Sequence, residues 1–314
     1  MAPVGRPAGR SGLTLPGGPG GAATQFHLFL PQLRLSPDAL VARARAAEQA
    51  GFDGLALMDH LVTPGAPDQP VYEAFTTATW LAAATDRLRI GHLVLCDGFR
   101  HPAVLARQAV TLDHLSGGRF ELGIGSGSTP AELVASGFDA GNAAQRRGRL
   151  HETLALVRRF WTGEPVHYEG TFFHVDGVRQ CPVPLGTIPI VIGGTGPETV
   201  ALVSEYADWW NVPIHQLDRR AAVRSEVGGA RQSIQVLVTL ITDENRRDEL
   251  VGLASRRFGR MGEEGHLVGT GAEIVPRLAA LAADGVERFY TWFTDFAPPE
   301  TLAAFGREVI ADME

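Results

Sequence analysis

The sequence predicts a single (β/α)8 TIM barrel, an α/β fold, and three observations support this prediction. Apolar strand segments alternate with helical segments eight times between residues 25 and 314, and about 250 residues are typical of this barrel. The strand segments are apolar throughout, as in parallel strands that are buried on both faces. No linker-like change of composition divides the chain, which favours one barrel over two doubly wound domains.

The first helix shows how the chain marks the ends of its elements. Ser36 suits the N-cap, Pro37 suits the first helical position, and Asp38 complements the helix dipole. Gly51 suits the C-terminal end. By the same criteria the first half of the chain has predicted strands at 26–30, 55–58, 89–95 and 120–124, and predicted helices at 39–50, 72–84 and 102–115.

An insertion around residues 125–185 is predicted to interrupt the alternation. It contains a long amphipathic helix over 143–161 and a small hairpin over 166–175. The second half then has predicted strands at 189–192, 209–212, 234–240 and 288–292, and predicted helices at 197–206, within 245–262, at 272–283 and at 299–310.

The composition excludes several kinds of chemistry. The chain has 314 residues, a net charge of −7 and 28 basic residues, all of them Arg. Without Lys there is no internal Schiff base and no Walker A lysine. The negative charge argues against nucleic-acid binding, and no apolar run is long enough for a membrane span. Any anion must be bound by Arg, backbone N–H groups or hydroxyls.

The N-terminus and the cysteines predict a cytoplasmic protein. Residues 1–24 are rich in Gly, Pro and Ala and have no signal-peptide core, so we expect a disordered tail before one barrel domain at 25–314. Cys96 and Cys181 are far apart, which argues against a disulfide framework. No His or Cys spacing is typical of a metal site, so no metal is expected.

Three segments at predicted strand ends are candidates for the active site, because such barrels carry active groups there. Asp59-His60 can act as an acid/base pair, although a strand-end histidine is often only a structural hydrogen bonder. The glycine-rich loop at 123–128 offers bare backbone to a flat ligand but lacks the third glycine of a dinucleotide fingerprint. The loop at 193–196 opens a helix, which suits either a phosphate or a tight turn.

Nine short segments, in this order along the chain, resemble the luciferase-like flavin and deazaflavin oxidoreductases. They are Phe29-Leu30-Pro31-Gln32, Ala50-Gly51-Phe52-Asp53, Asp59-His60, Arg100-His101-Pro102, Leu115-Ser116-Gly117-Gly118-Arg119, the glycine loop after strand four, Trp161-Thr162-Gly163-Glu164-Pro165, Ile192-Gly193-Gly194 and Ala207-Asp208-Trp209-Trp210-Asn211. The family has a (β/α)8 barrel and uses either FMN or coenzyme F420, a deazaflavin that passes hydride. The Asp-His after strand two favours F420, since many FMN members have Glu-His-His.

The resemblance also implies roles for individual residues. It makes His60 and Asp59 catalytic and implies a non-proline cis peptide between Leu93 and Val94, behind the deazaflavin ring. The residues that it places at the cofactor are Asp59, Leu93, Val94, Gly125, Ser126, Gly127, Ser128, Gly193, Gly194 and Thr195.

One position departs from the family pattern. F420-dependent sugar-phosphate and alcohol dehydrogenases carry a Glu after the strand-four glycines, where this chain has Ser128. We therefore expect hydride transfer between F420 and a neutral or modestly polar small molecule, with His60 as the acid/base group and Asp97 as the next candidate. The alternatives are an FMN-dependent monooxygenase supplied by a separate reductase, and a non-catalytic barrel that binds a phosphorylated ligand. A homodimer is expected.

Overall fold

The computed structural model describes residues 24–259 and 265–313, so the predicted tail lies outside the described residues except for Thr24. The strands are β1 (Gln25–Phe29), β2 (Gly54–Leu57), β3 (Arg89–His92), β4 (Leu95–Cys96), β5 (Leu122–Gly125), β6 (Val166–Glu169), β7 (His174–Val178), β8 (Ile190–Gly193), β9 (Trp209–Pro213), β10 (Arg231–Leu240), β11 (His266–Gly269) and β12 (Arg288–Phe293). The helices are α1 (Pro37–Gln49), α2 (Ala74–Ala84), α3 (Pro102–Ser116), α4 (Pro130–Ala135), α5 (Ala143–Trp161), α6 (Pro197–Tyr206), α7 (Leu217–Val223), α8 (Arg247–Phe258), α9 (Gly271–Ala283), α10 (Pro299–Phe305) and α11 (Ala311–Met313).

The sheet is the predicted parallel barrel. Its strand order is β3-β2-β1-β12-β10-β9-β8-β5-β4, and β3 and β4 together form the third barrel strand on either side of a cis peptide between Leu93 and Val94. The ring closes where the Ile90 amide donates to the Arg119 carbonyl (3.0 Å) and the Glu121 amide donates to the Ile90 carbonyl (2.9 Å). All eight predicted barrel strands and the cis peptide are thus confirmed.

The structure also contains elements that the sequence pattern did not predict. β11 pairs in parallel with the carboxyl half of β10, outside the main path of the sheet. The helices α4 and α7 have only six and seven residues, too short for a helical period to stand out. The predicted last helix continues to Ile310, but its residues 306–310 form a π-helical turn. Among the described residues, no helix is long and apolar enough to cross a membrane.

A buried ionic cluster fills the barrel interior at the amino ends of the strands. The Glu121 carboxylate accepts hydrogen bonds from Arg288 Nη1 (2.7 Å) and Nη2 (3.1 Å) and also from Arg89 Nε. Gln25 and Tyr290 bind the remaining donors of Arg288. Burial would raise the pKa of Glu121, but the two Arg side chains outweigh it and hold that pKa at about 2. Glu121 and Arg288, at the centre of this amino-end cluster, are almost fully buried and have their hydrogen-bonding groups occupied.

Candidate active site

A cavity of about 280 Å³ opens at the carboxyl ends of the barrel strands. This is where (β/α)8 barrels place their active sites. Nine of the eleven residues predicted for the site line it: Asp59, His60, Leu93, Val94, Gly125, Ser126, Gly127, Ser128 and Gly193. The other two, Gly194 and Thr195, follow Gly193 in the same loop and lie outside the lining.

His60 is held in the cavity by a carboxylate. Its Nδ1 lies 2.8 Å from Oε2 of Glu132, and the His60 side chain is 21% exposed. The other carboxylate oxygen of Glu132 accepts the amides of Leu61 (2.6 Å) and Val62 (3.0 Å). Because an ionised carboxylate only accepts, Nδ1 carries the proton of this bond. The Nε2 atom makes no hydrogen bond within the described part of the chain, so it is available to a molecule in the cavity.

Glu132 was missed by the sequence analysis. The family resemblance places a carboxylate at position 128, directly after the glycines, where this chain has Ser128. The short helix α4 instead brings in an acid from four residues further on. The available signal was the pair of Pro130 and Glu132, a proline at the first helical position with an acid in the first turn.

Asp59 points at an arginine. Its carboxylate accepts from Nη1 (2.5 Å) and Nη2 (3.0 Å) of Arg100 and from the backbone amide of Cys96 (2.8 Å). Arg100 also binds Glu73, at 2.7 Å. Asp59 therefore ties the end of strand two to strand three beneath the cavity, and its predicted catalytic role and contact with a cofactor stay predictions.

The strand-four loop leaves bare backbone on one side of the cavity. Gly127 has a φ of +86°, and a Cβ there would lie 2.9 Å from Sγ of Cys96. A Cβ at Gly125 would lie 2.9 Å from a methyl group of Val94. Burial raises the pKa of the Cys96 thiol to about 11, so this thiol stays protonated at neutral pH.

The loop after β8 leads from the cavity lining at Gly193 into α6. Gly194 has a φ of +122°, and its carbonyl accepts from the indole of Trp210 at 2.7 Å. The Thr195 hydroxyl donates to Gln216 (3.1 Å), and α6 begins two residues later. Arg147 on α5 reaches Glu198 in the first turn of α6, with 3.2 Å between Nη2 and Oε1.

Asp97, the reserve candidate for the acid, is buried beside Arg149, with 3.0 Å between Oδ2 and Nε. Burial raises the pKa of Asp97, although Arg149 opposes the shift. Asp97 is not among the lining residues of the cavity.

The described residues also include no group of three His, Cys, Asp or Glu side chains arranged to hold a metal ion.

The chain is similar to curated proteins over part of their length. The chain is 32% identical over 218 residues to an F420-dependent hydroxymycolic acid dehydrogenase of Mycobacterium tuberculosis, covering 67% of this chain and 58% of that protein. It is 34% identical over 176 residues to an F420-dependent glucose-6-phosphate dehydrogenase of Microbacterium testaceum, covering 56% and 52%. The chain thus spans about half the length of the curated relatives that it matches.

The fold has been seen before in solved structures. An F420-dependent secondary alcohol dehydrogenase in complex with an F420–acetone adduct superimposes with a TM-score of 0.78 at 18% identity, covering 92% of this chain and 99% of that chain. The family model described as luciferase-like monooxygenase matches residues 15–288. The chain therefore belongs to the luciferase-like monooxygenase family.

Proposed function

We propose that the protein is an oxidoreductase that transfers hydride between coenzyme F420 and a small organic substrate. The observation that carries the proposal is His60, which a carboxylate holds by Nδ1 at the edge of a glycine-lined cavity while its Nε2 stays free. The F420-dependent names of the relatives support the choice of cofactor.

The residues present fit a flat, phosphorylated cofactor. The backbone at Gly125 and Gly127 and the Leu93–Val94 turn line one cavity, where a planar ring would meet little side-chain bulk. A phosphate would bind at the loop of Gly194 and Thr195, where the N-terminus of α6 offers N–H groups and a positive dipole end. Arg147 is the cation beside this loop, in a chain that has no Lys.

The chain's own residues would handle the proton that accompanies hydride transfer. When bound, coenzyme F420 supplies or accepts the hydride. His60 would give or take the proton at Nε2, and Glu132 would fix the ring orientation through Nδ1 and stabilise the protonated imidazole. The pair of Asp59 and Arg100 would keep strand ends two and three in register.

Fluorescence titration of the purified protein with F420 and with FMN tests the cofactor. We expect F420 to bind and to be reduced or oxidised with a suitable substrate. Tight binding of FMN without binding of F420 would instead identify an FMN-dependent monooxygenase. Binding of F420 without turnover in a broad substrate screen would favour a barrel that only binds phosphorylated ligands.

The phosphate site can be tested with two nearly isosteric variants. Thr195→Asp places a negative charge in the loop, while Thr195→Asn has almost the same shape without the charge. We expect Thr195→Asp to weaken F420 binding by at least about tenfold, equivalent to about 1.4 kcal/mol, and Thr195→Asn to change it little. Position 195 is preferable to Gly194, because φ at Gly194 is +122° and any side chain there would strain the backbone. Equal affinities for the two variants would place the phosphate elsewhere.

A further inference from the structure

Four apolar side chains lie in the cavity wall or beside residues that line it, and we call Leu61, Val62, Phe99 and Phe138 the apolar rim. Leu61 and Val62 are each 41% exposed, and Phe138 is 38% exposed. Phe99 lines the cavity and packs edge-to-face against Phe138, with 5.3 Å between the ring centroids. Large apolar side chains that stay exposed beside a cavity are typical of a binding surface.

The rim is connected directly to the acid/base group. Leu61 and Val62 follow His60 in sequence, and their amides donate to the same carboxylate, that of Glu132, which holds the His60 ring. A molecule whose reacting carbon lies at Nε2 of His60 would therefore extend the rest of its length over these side chains.

The charges around the cavity disfavour an anionic substrate. Within the described part of the chain, the carboxylates lining the cavity are Asp59 and Glu132, and no Arg lines it. The nearby Arg100 already binds Asp59 and Glu73. Since the chain has no Lys, a phosphate or carboxylate at the reacting end of a substrate would meet the two carboxylates of the described lining rather than a cation there.

We propose that the substrate is an uncharged molecule with an apolar chain, which binds along the apolar rim while its reacting carbon lies beside His60. The inference rests on the proposed function only in taking coenzyme F420 as the partner that exchanges hydride with the substrate. Burial of each additional methylene group is worth a severalfold gain in affinity, so chain length, rather than a charged group, is expected to determine substrate affinity.

The test is a binding series on the full chain, with and without F420. Calorimetric titration with uncharged 2-alkanones from 2-butanone to 2-decanone measures the dissociation constant against chain length, and glucose 6-phosphate is the charged comparator. We expect about two- to fourfold tighter binding per methylene and no measurable binding of glucose 6-phosphate. A flat series, or tighter binding of glucose 6-phosphate than of 2-decanone, would overturn the proposal.

A pair of matched variants tests whether the dependence of affinity on chain length comes from the apolar rim. Val62→Ser should weaken binding of the longest ketone and flatten the series, whereas Val251→Ser on α8 should not, although the two valines are similarly exposed, at 41% and 40%. An equal loss in both variants would contradict a role for the rim. A steep series without any F420 turnover would keep this inference and refute the proposed function, while F420 turnover with a flat series would do the reverse.

Discussion

A glutamate lies at each end of the barrel, and the two glutamates have different surroundings. At the amino end, Glu121 binds two arginines, and one of them, Arg288, is 1% exposed and has its other donors occupied by Gln25 and Tyr290. At the carboxyl end, Glu132 binds one partly exposed histidine whose second nitrogen is free. A buried cluster whose groups are all hydrogen-bonded can stabilise the fold but has no group left for chemistry. In the pair of His60 and Glu132, Nε2 of the histidine remains available to a substrate.

The sharpest test of this difference is His60→Asn, which keeps a polar side chain but removes the titrating ring. If the carboxyl end performs the chemistry, turnover should fall by about 10²–10⁴-fold, the usual worth of general acid–base help. Cofactor affinity should stay within a few-fold. Steady-state kinetics and cofactor titration measure both, with His167→Asn in the exposed hairpin as the control. Near-normal turnover of His60→Asn would show that another group is the acid.

The amino end should respond in stability rather than in turnover. Glu121→Gln leaves the buried Arg288 without its counterion, which typically costs about 3–5 kcal/mol of unfolding free energy. Chemical denaturation measures the loss, and kcat per folded molecule should stay unchanged. The control is Glu249→Gln, which removes an exposed ion pair with Arg246 and should leave the denaturation midpoint unchanged. A large loss of kcat in folded Glu121→Gln would contradict the proposal that the amino end contributes only to stability and the carboxyl end performs the chemistry.

Glu132→Gln tests the other member of the pair at the carboxyl end, the carboxylate that binds His60. The variant keeps a hydrogen-bond acceptor for Nδ1 of His60 but loses the charge that favours a protonated ring. A hydrogen bond to a charged group is worth about 1.5–3 kcal/mol, so we expect kcat to fall by about 10- to 100-fold, less than for His60→Asn. The double variant should be no slower than His60→Asn alone. Independent, additive losses would mean that Glu132 acts on the substrate directly and not through His60.

The smallest expected effect is a pH dependence of the free energy of unfolding, caused by a buried histidine between the two ends of the barrel. His92 on β3 is fully buried between aromatic rings, and burial lowers its pKa from 6.5 to about 4. The unfolded chain binds this proton more readily than the folded one, so His92 adds no pH dependence above pH 6.5. Below that, its term reduces stability as the pH falls towards 4, by at most about 1.4 kcal/mol per pH unit.

Denaturation curves between pH 4 and pH 8 measure this term. His92→Phe removes the titrating group in an aromatic environment, so its stability should fall less steeply than that of the native chain below pH 6.5. Parallel curves for the two proteins would contradict the buried neutral state of His92.

The parts of the fold that were predicted correctly are those encoded by local patterns. Each barrel strand is an apolar run with its own boundaries, and α1 has its N-cap at Ser36 as expected, with the hydroxyl accepting from the Ala39 amide at 3.2 Å. The elements that were missed, α4, α7 and β11, are short, so none of them carries a clear period. Nine of the eleven predicted site residues line one cavity because parallel strand ends meet at one face of a barrel.

By itself the sequence determined that the chain forms one barrel, that His60 and the two glycine-rich loops lie at strand ends, and that no Lys takes part in the chemistry. Only the tertiary structure decided which charges are paired. Glu132 lies 72 residues from His60, Arg100 lies 41 residues from Asp59, and Arg288 lies 167 residues from Glu121. Such pairs leave no periodic signal in a single sequence, because they depend on which strand ends the closed barrel brings within hydrogen-bonding distance.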